Sequence, residues 1–164
     1  MADRPHKSLG TRLTRAKAQL SLVEHALCPL DSATSLRPNF VHETGYSFTD
    51  KNRNRKKATV RMGAIDGLSA HDEFYLWGLL SLALSQPEPR PELMATPYFC
   101  LRQLGIVEGT SKGGREFASF RAAIKRLAGV HYQNNYFYDP IRGEHRAVAF
   151  GFLNYSLPLN PESS

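Results

Sequence analysis

Hydrophobic positions along this chain change period several times, and each change marks an element. Phe40–Phe48 and Ala58–Ile65 alternate apolar with polar residues, the period of a half-buried strand. In the second run Ala58, Val60, Met62 and Ala64 fall on one side, and Thr59, Arg61 and Gly63 on the other. Asp50–Lys57 between them is charged and contains Asn52 and Asn54, so the pattern predicts a β-hairpin over 40–65 with a basic loop at its tip. Upstream, Leu20–Leu27 reads as a strand or a short helix that Pro29 stops.

The period then becomes helical. Ser69 and Asp72 form a capping-box-like pair, in which each side chain can satisfy an orphan amide. After it Phe74, Trp77, Leu80 and Leu84 recur at helical spacing, with Leu76, Leu79 and Ala83 widening the stripe. A helix apolar nearly all round is expected to be central. Gln86-Pro-Glu-Pro-Arg-Pro91 ends it as a stiff extended loop. Thr96-Pro97 reads as an N-cap and first-turn proline for a short helix carrying Phe99, Leu101 and Leu104, with Gly105 as its stop. Ile106–Gly114 is a turn of small residues. Arg115–Ala128 is a second helix, with Phe117, Phe120, Ile124 and Leu127 as its stripe and Gly129 at its end. Val130–Tyr138 and Arg146–Leu153 are aromatic and β-rich, and Asp139-Pro-Ile-Arg-Gly143 supplies a turn between them. Helix, turn, helix and hairpin over 96–153 predict an α+β fold of the winged helix-turn-helix kind, with an additional N-terminal β-hairpin. Residues 1–18 are expected to be a flexible basic arm, 19–158 the domain, and 159–164 a tail or linker.

Charge changes the picture more than composition does. The 164 residues carry a net charge of +6 and are 41% hydrophobic, enough for one domain with a core. Segments 1–17, 51–61 and 112–126 hold sixteen of the 21 Lys and Arg but only two of the 15 Asp and Glu. A chain that is acidic outside three basic stretches has a basic surface, for which a phosphate backbone is the natural partner. Solvation alone is the plain alternative.

The second predicted helix turns Arg115, Ser119, Ala122, Lys125 and Arg126 away from its stripe. Small residues there permit close approach to a groove floor, and the bases at its edges can reach phosphates or guanine edges. Before it, Thr110, Ser111 and Lys112 with two glycines offer hydroxyls, a cation and free amides at a helix N-terminus. Lys51, Arg53, Arg55, Lys56 and Lys57 in the first hairpin's loop, and Arg142 and Arg146 near the second hairpin's tip, are candidates for backbone contact. Tyr132, Tyr136 and Tyr138 alternate along one strand; core or interface is favoured over base stacking.

Other chemistry finds little support. The glycines at 109–114 lack the spacing of a nucleotide phosphate loop and follow a helix, not a strand. The six histidines are scattered, so neither metal nor cofactor is expected, and no enzyme is. Cys28 and Cys100 read as reduced, structural thiols of a cytoplasmic protein. No apolar run is long enough to span a membrane.

Phe117–Val130 (FASFRAAIKRLAGV), with LRQLGI at Leu101–Ile106 and LSLVEHALCPL from Leu20, resembles the replication initiator protein A family of bacterial plasmids. The resemblance runs from about Leu20 to about Leu157. It implies a winged-helix protein that binds repeated double-stranded DNA sites in a plasmid origin and recruits host replication proteins without catalysis, with a homodimer as an expected state. Carried over by position, it implies 115–128 as the reading helix and Arg115, Lys125 and Arg126 as DNA contacts. Ser119 stands where the family pattern often has arginine, which puts base readout there in doubt. The chain is also shorter than a complete initiator of this kind, which implies either an N-terminal portion or a compact relative. A winged-helix transcriptional regulator, or a dimerisation or interaction module of a larger initiator, are the alternatives.

Overall fold

The computed structural model describes residues 20–108 and 113–157. In chain order the elements are α1 (Leu20–Val23), α2 (Ser32–Ser35), β1 (Phe40–Thr49), β2 (Arg55–Ala64), α3 (Ala70–Leu84), α4 (Pro97–Gln103), α5 (Gly114–Ala128), β3 (Val130–Asp139) and β4 (Glu144–Gly151). The fold is α+β. Its strands form one antiparallel sheet in the order β1-β2-β3-β4, two hairpins joined where β2 pairs β3. Both predicted hairpins form. Leu20 opens a helical turn, not a strand. Arg55, Lys56 and Lys57, expected in the loop, belong to β2, which shortens the tip to Asp50–Asn54.

The chain divides into two compact units, and α3 and α5 contribute residues to both. The first holds Trp77–Arg121 among the described residues. Thr96 caps α4 as expected: its Oγ1 accepts from the Phe99 N–H at 3.1 Å, with Pro97 in the first turn. Gly105, at φ +70°, ends it. The Ile106 N–H reaches the Leu101 carbonyl and the Gly105 N–H the Arg102 carbonyl, so the last carbonyls are satisfied by the turn itself. Gly78, midway along α3, is set by packing, since a Cβ there would lie 2.7 Å from Leu104 Cδ2. The Tyr98 and Phe117 rings lie parallel, 6.4 Å apart.

The second unit holds residues 20–76 and 122–157 among those described. On β2 the alternation is sharp: Ala58, Val60, Met62 and Ala64 are buried, while Arg55, Lys57, Thr59 and Arg61 are exposed. The inner face also takes Val130 and Tyr132 of β3, both buried. Asn134 is the polar hub of this face and is itself buried. Its Nδ2 donates to the Tyr132 hydroxyl at 3.0 Å and the Tyr46 hydroxyl at 3.1 Å, and its Oδ1 accepts from the Tyr136 N–H at 2.9 Å. The register slips between Asn134 and Phe137, so the asparagine side chain supplies the acceptor that the interrupted ladder denies Tyr136. His25 stacks against Tyr46 at 5.5 Å and Tyr132 at 5.8 Å, with Nε2 3.2 Å from the Tyr132 hydroxyl. Burial, helped by the neighbouring His42, holds His25 below its ordinary pKa, and burial pushes the Tyr132 hydroxyl up to about 12. The inner face therefore carries neutral polar groups. Tyr132 is core, as expected for the tyrosine stripe; Tyr136 and Tyr138 are half-buried.

The buried side of α3 corrects the expected one. Tyr75, Leu76 and Leu82 are buried, together with Asp72 and Ser81. Phe74 and Leu84, expected at the centre of the stripe, are exposed, and Trp77 and Leu80 are half-buried. A helix apolar all round gives no direction of its own, so a polar contact chose the face: Asp72 is drawn inward by Arg126 of α5.

Candidate nucleic-acid interface

Helix α5 buries Phe120, Ala123, Ile124 and Leu127, and Phe117 is half-buried, close to the stripe its sequence predicts. Away from them stand Arg115, Ala118 and Lys125, all exposed, with Ser119 and Ala122 half-buried between. Gly113, at φ +52°, leads into the helix, and its carbonyl accepts from the Phe117 N–H at 2.9 Å. The predicted anion turn at Thr110, Ser111 and Lys112 lies outside the described residues.

Lys125 and Arg126 are treated differently by the fold. The expected capping box forms: the Ser69 N–H donates to Asp72 Oδ2 at 2.8 Å and the Asp72 N–H to Ser69 Oγ at 3.3 Å. Onto the same carboxylate Arg126 donates from Nε and from its terminal nitrogen, both at 2.7 Å. This is the bidentate fork that a planar guanidinium favours. Asp72 is fully buried and the Arg126 side chain only 22% exposed. The Asp72 hydrogen bond raises the Arg126 pKa further, so the pair is a permanent internal cross-link from α5 to the start of α3. The structure thus gives Arg126, read from sequence as a DNA contact, an intramolecular acceptor. Lys125 only brushes Asp66, at 3.5 Å with both side chains well exposed, a surface pair of little energy.

The hairpin tips are ordered by their acids. Asp50 Oδ1 accepts from the Asn52 and Asn54 amides at 2.9 and 2.8 Å, and Asp50 Oδ2 lies 3.3 Å from Lys56 Nζ. These bonds, the Asn54 amide first, lower the Asp50 pKa. Lys51 and Arg53 project from this turn, Arg53 in the left-handed region at φ +62°. At the other tip Asp139 Oδ1 accepts from the Ile141 and Arg142 amides, and its other oxygen sits 3.9 Å from Arg142 and 3.8 Å from Arg146. Arg146 also approaches Glu144 at 3.7 Å.

The fold therefore sorts the candidate cations. Lys56, Lys125, Arg126, Arg142 and Arg146 have acidic partners. Lys51, Arg53, Arg55, Lys57 and Arg115 have none among the described residues. Sequence reading left Arg61 out of the site, although the structure places it in line with Arg55 and Lys57; the period-2 pattern of β2 was the signal that could have found it. Cys28 and Cys100 are free and buried, and burial pushes each thiol up to about 11, the state of an unreactive cysteine. Among the described residues no group of three His, Cys, Asp or Glu side chains could hold a metal ion. No helix among them is long and apolar enough to cross a membrane.

What fold and site define together is an α+β protein with a four-stranded antiparallel sheet and an exposed, partly uncompensated set of basic side chains. No family model, curated protein or solved structure matches the chain.

Proposed function

We propose that this protein binds double-stranded DNA sequence-specifically at a plasmid replication origin, and initiates replication by binding and recruitment without catalysis. In this reading α4 and α5 act as a winged helix-turn-helix with β3 and β4 as the wing. The observation that carries it is the outward side of α5, where exposed Arg115 and Lys125 flank Ala118 and Ala122. A small-residue strip with cations at its edges suits a helix lying in a major groove. The resemblance of the α5 segment to the plasmid initiators supplies the origin and the host replication proteins as partners.

Selection of binding sites from random duplexes tests this at about 150 mM salt, where non-specific binding is weak. Direct repeats are expected. An isolated palindrome would point to a transcriptional regulator instead, and no enriched duplex would overturn the reading. On the selected site, Arg115→Ala with Lys125→Ala should weaken binding by tenfold or more, from about 1–3 kcal/mol for each lost base-edge contact. Arg126→Ala is unsuited to this test, because it removes the partner of a buried carboxylate.

A further inference from the structure

The sheet of the second unit has an outward face that sequence reading treated as incidental. On β2 it presents Arg55, Lys57, Thr59 and Arg61, all exposed. The register sets Thr49, Ser47, Gly45 and Glu43 of β1 opposite them in that order, and Gln133 of β3 beside Arg61. None of Arg55, Lys57 and Arg61 has an ion pair or a side-chain hydrogen bond among the described residues. Glu43 faces Arg61 across the strands without closing to an ion pair, so the row keeps its positive charge.

The row has room for a ligand. Gly45 has no side chain, and around it a shallow hollow of about 500 Å³ is lined by Glu43, Ser47, Lys57 and Thr59. The carbonyl of Asn135 accepts from the Thr59 N–H at 2.7 Å, which leaves its NH2 without a partner among the described residues. Alternate residues of a strand are about 6.8 Å apart, so Arg55, Lys57 and Arg61 form a straight line of cations with neutral donors beside it.

The chemistry of this face selects its partner class. A protein partner would meet a patch depleted in lysine and rich in aromatics, and this row is the reverse. Single-stranded nucleic acid would use aromatic platforms, and the outward residues of β2 and their β1 partners include none. A regular polyanion needs neither. We infer that the outward face of the sheet is a second DNA-binding surface, which grips the sugar–phosphate backbone of a duplex through Arg55, Lys57 and Arg61 without reading sequence. This rests on the duplex-DNA reading above and adds to it a surface independent of α5.

Fluorescence anisotropy of the full chain on a labelled duplex, across a salt series, tests it. The triple variant Arg55→Ala, Lys57→Ala, Arg61→Ala should lower the magnitude of the slope of log K against log salt by roughly 2–3, about 0.9 for each phosphate released. It should weaken selected and random duplexes alike, leaving their ratio unchanged, whereas Arg115→Ala with Lys125→Ala should lower that ratio. An unchanged slope in the triple variant overturns the second surface and leaves the α5 reading standing. Failure of the wild-type chain to bind any duplex overturns both. Tighter binding of the wild-type chain to a single strand of equal length overturns the commitment to duplex. Should the triple variant fail to fold, Arg61→Gln alone is expected to lower the slope by about 1.

Discussion

The last turn of α5 and the outward face of β2 are both dense in positive charge, yet the fold uses them in opposite ways. In α5, Arg126 is turned inward onto a buried carboxylate and is part of the scaffold. On β2, Arg55, Lys57 and Arg61 face water and meet no acid within ion-pair distance. Net charge counts these residues equally. Only the first group stabilises the chain, and only the second is free to engage a polyanion. A cluster of bases becomes a binding surface when the structure withholds partners from it.

Substitution should break this contrast most visibly at Arg126. Arg126→Ala strands the Asp72 carboxylate inside the protein and should cost about 3–5 kcal/mol of folding free energy, read by urea unfolding. Its neighbour supplies the control. Lys125→Ala removes a surface pair and should change stability by about 0–1 kcal/mol in the same titration. Equal losses at the two positions would erase the distinction between scaffold and surface charge.

Acid sharpens the same contrast on the sheet. His25 lies against the inner face and is held below its ordinary pKa of 6.5 by burial. Between the folded value and 6.5 the unfolded chain binds a proton that the folded chain resists. Stability is therefore full above about pH 6.5 and falls as pH drops through that window. Thermal unfolding of the wild type should show this decline, and His25→Gln should flatten it. The smallest expected effect lies at the hairpin tip. Arg53 holds a left-handed backbone conformation that glycine adopts freely, so Arg53→Gly should raise stability by up to about 1 kcal/mol.

Much of the architecture was legible as pattern. The strands of both hairpins, the Thr96–Pro97 start of α4, the Ser69–Asp72 cap and the stripe of α5 all follow from local spacing. The buried side of α3 did not, because its apolar residues surround the helix and favour no direction. What orients it is Asp72 meeting Arg126, 54 residues further along the chain. The same long-range pair explains why Arg126 looked like a surface cation in sequence. Arg61 was overlooked for a complementary reason: a lone base in a strand stands out only once neighbouring strands set it beside Arg55, Lys57 and the small residues of β1.

The order β1-β2-β3-β4 has a consequence for how the chain reaches this state. Each hairpin joins strands adjacent in sequence, but the β2–β3 seam closes only after residues 66–128 have returned to their starting point. There the Ile65 N–H donates to the Gly129 carbonyl at 3.2 Å, and the Ile65 carbonyl accepts from Asn39 at 2.8 Å. Local hairpins form early in such a topology, and the seam sets the folding rate. Because the entropy of closing a loop grows only with the logarithm of its length, doubling the closed segment would add about 0.6 kcal/mol. The exposed proline-rich stretch at 86–91 is therefore a place where the chain can lengthen while the seam, and the sheet it completes, stays intact.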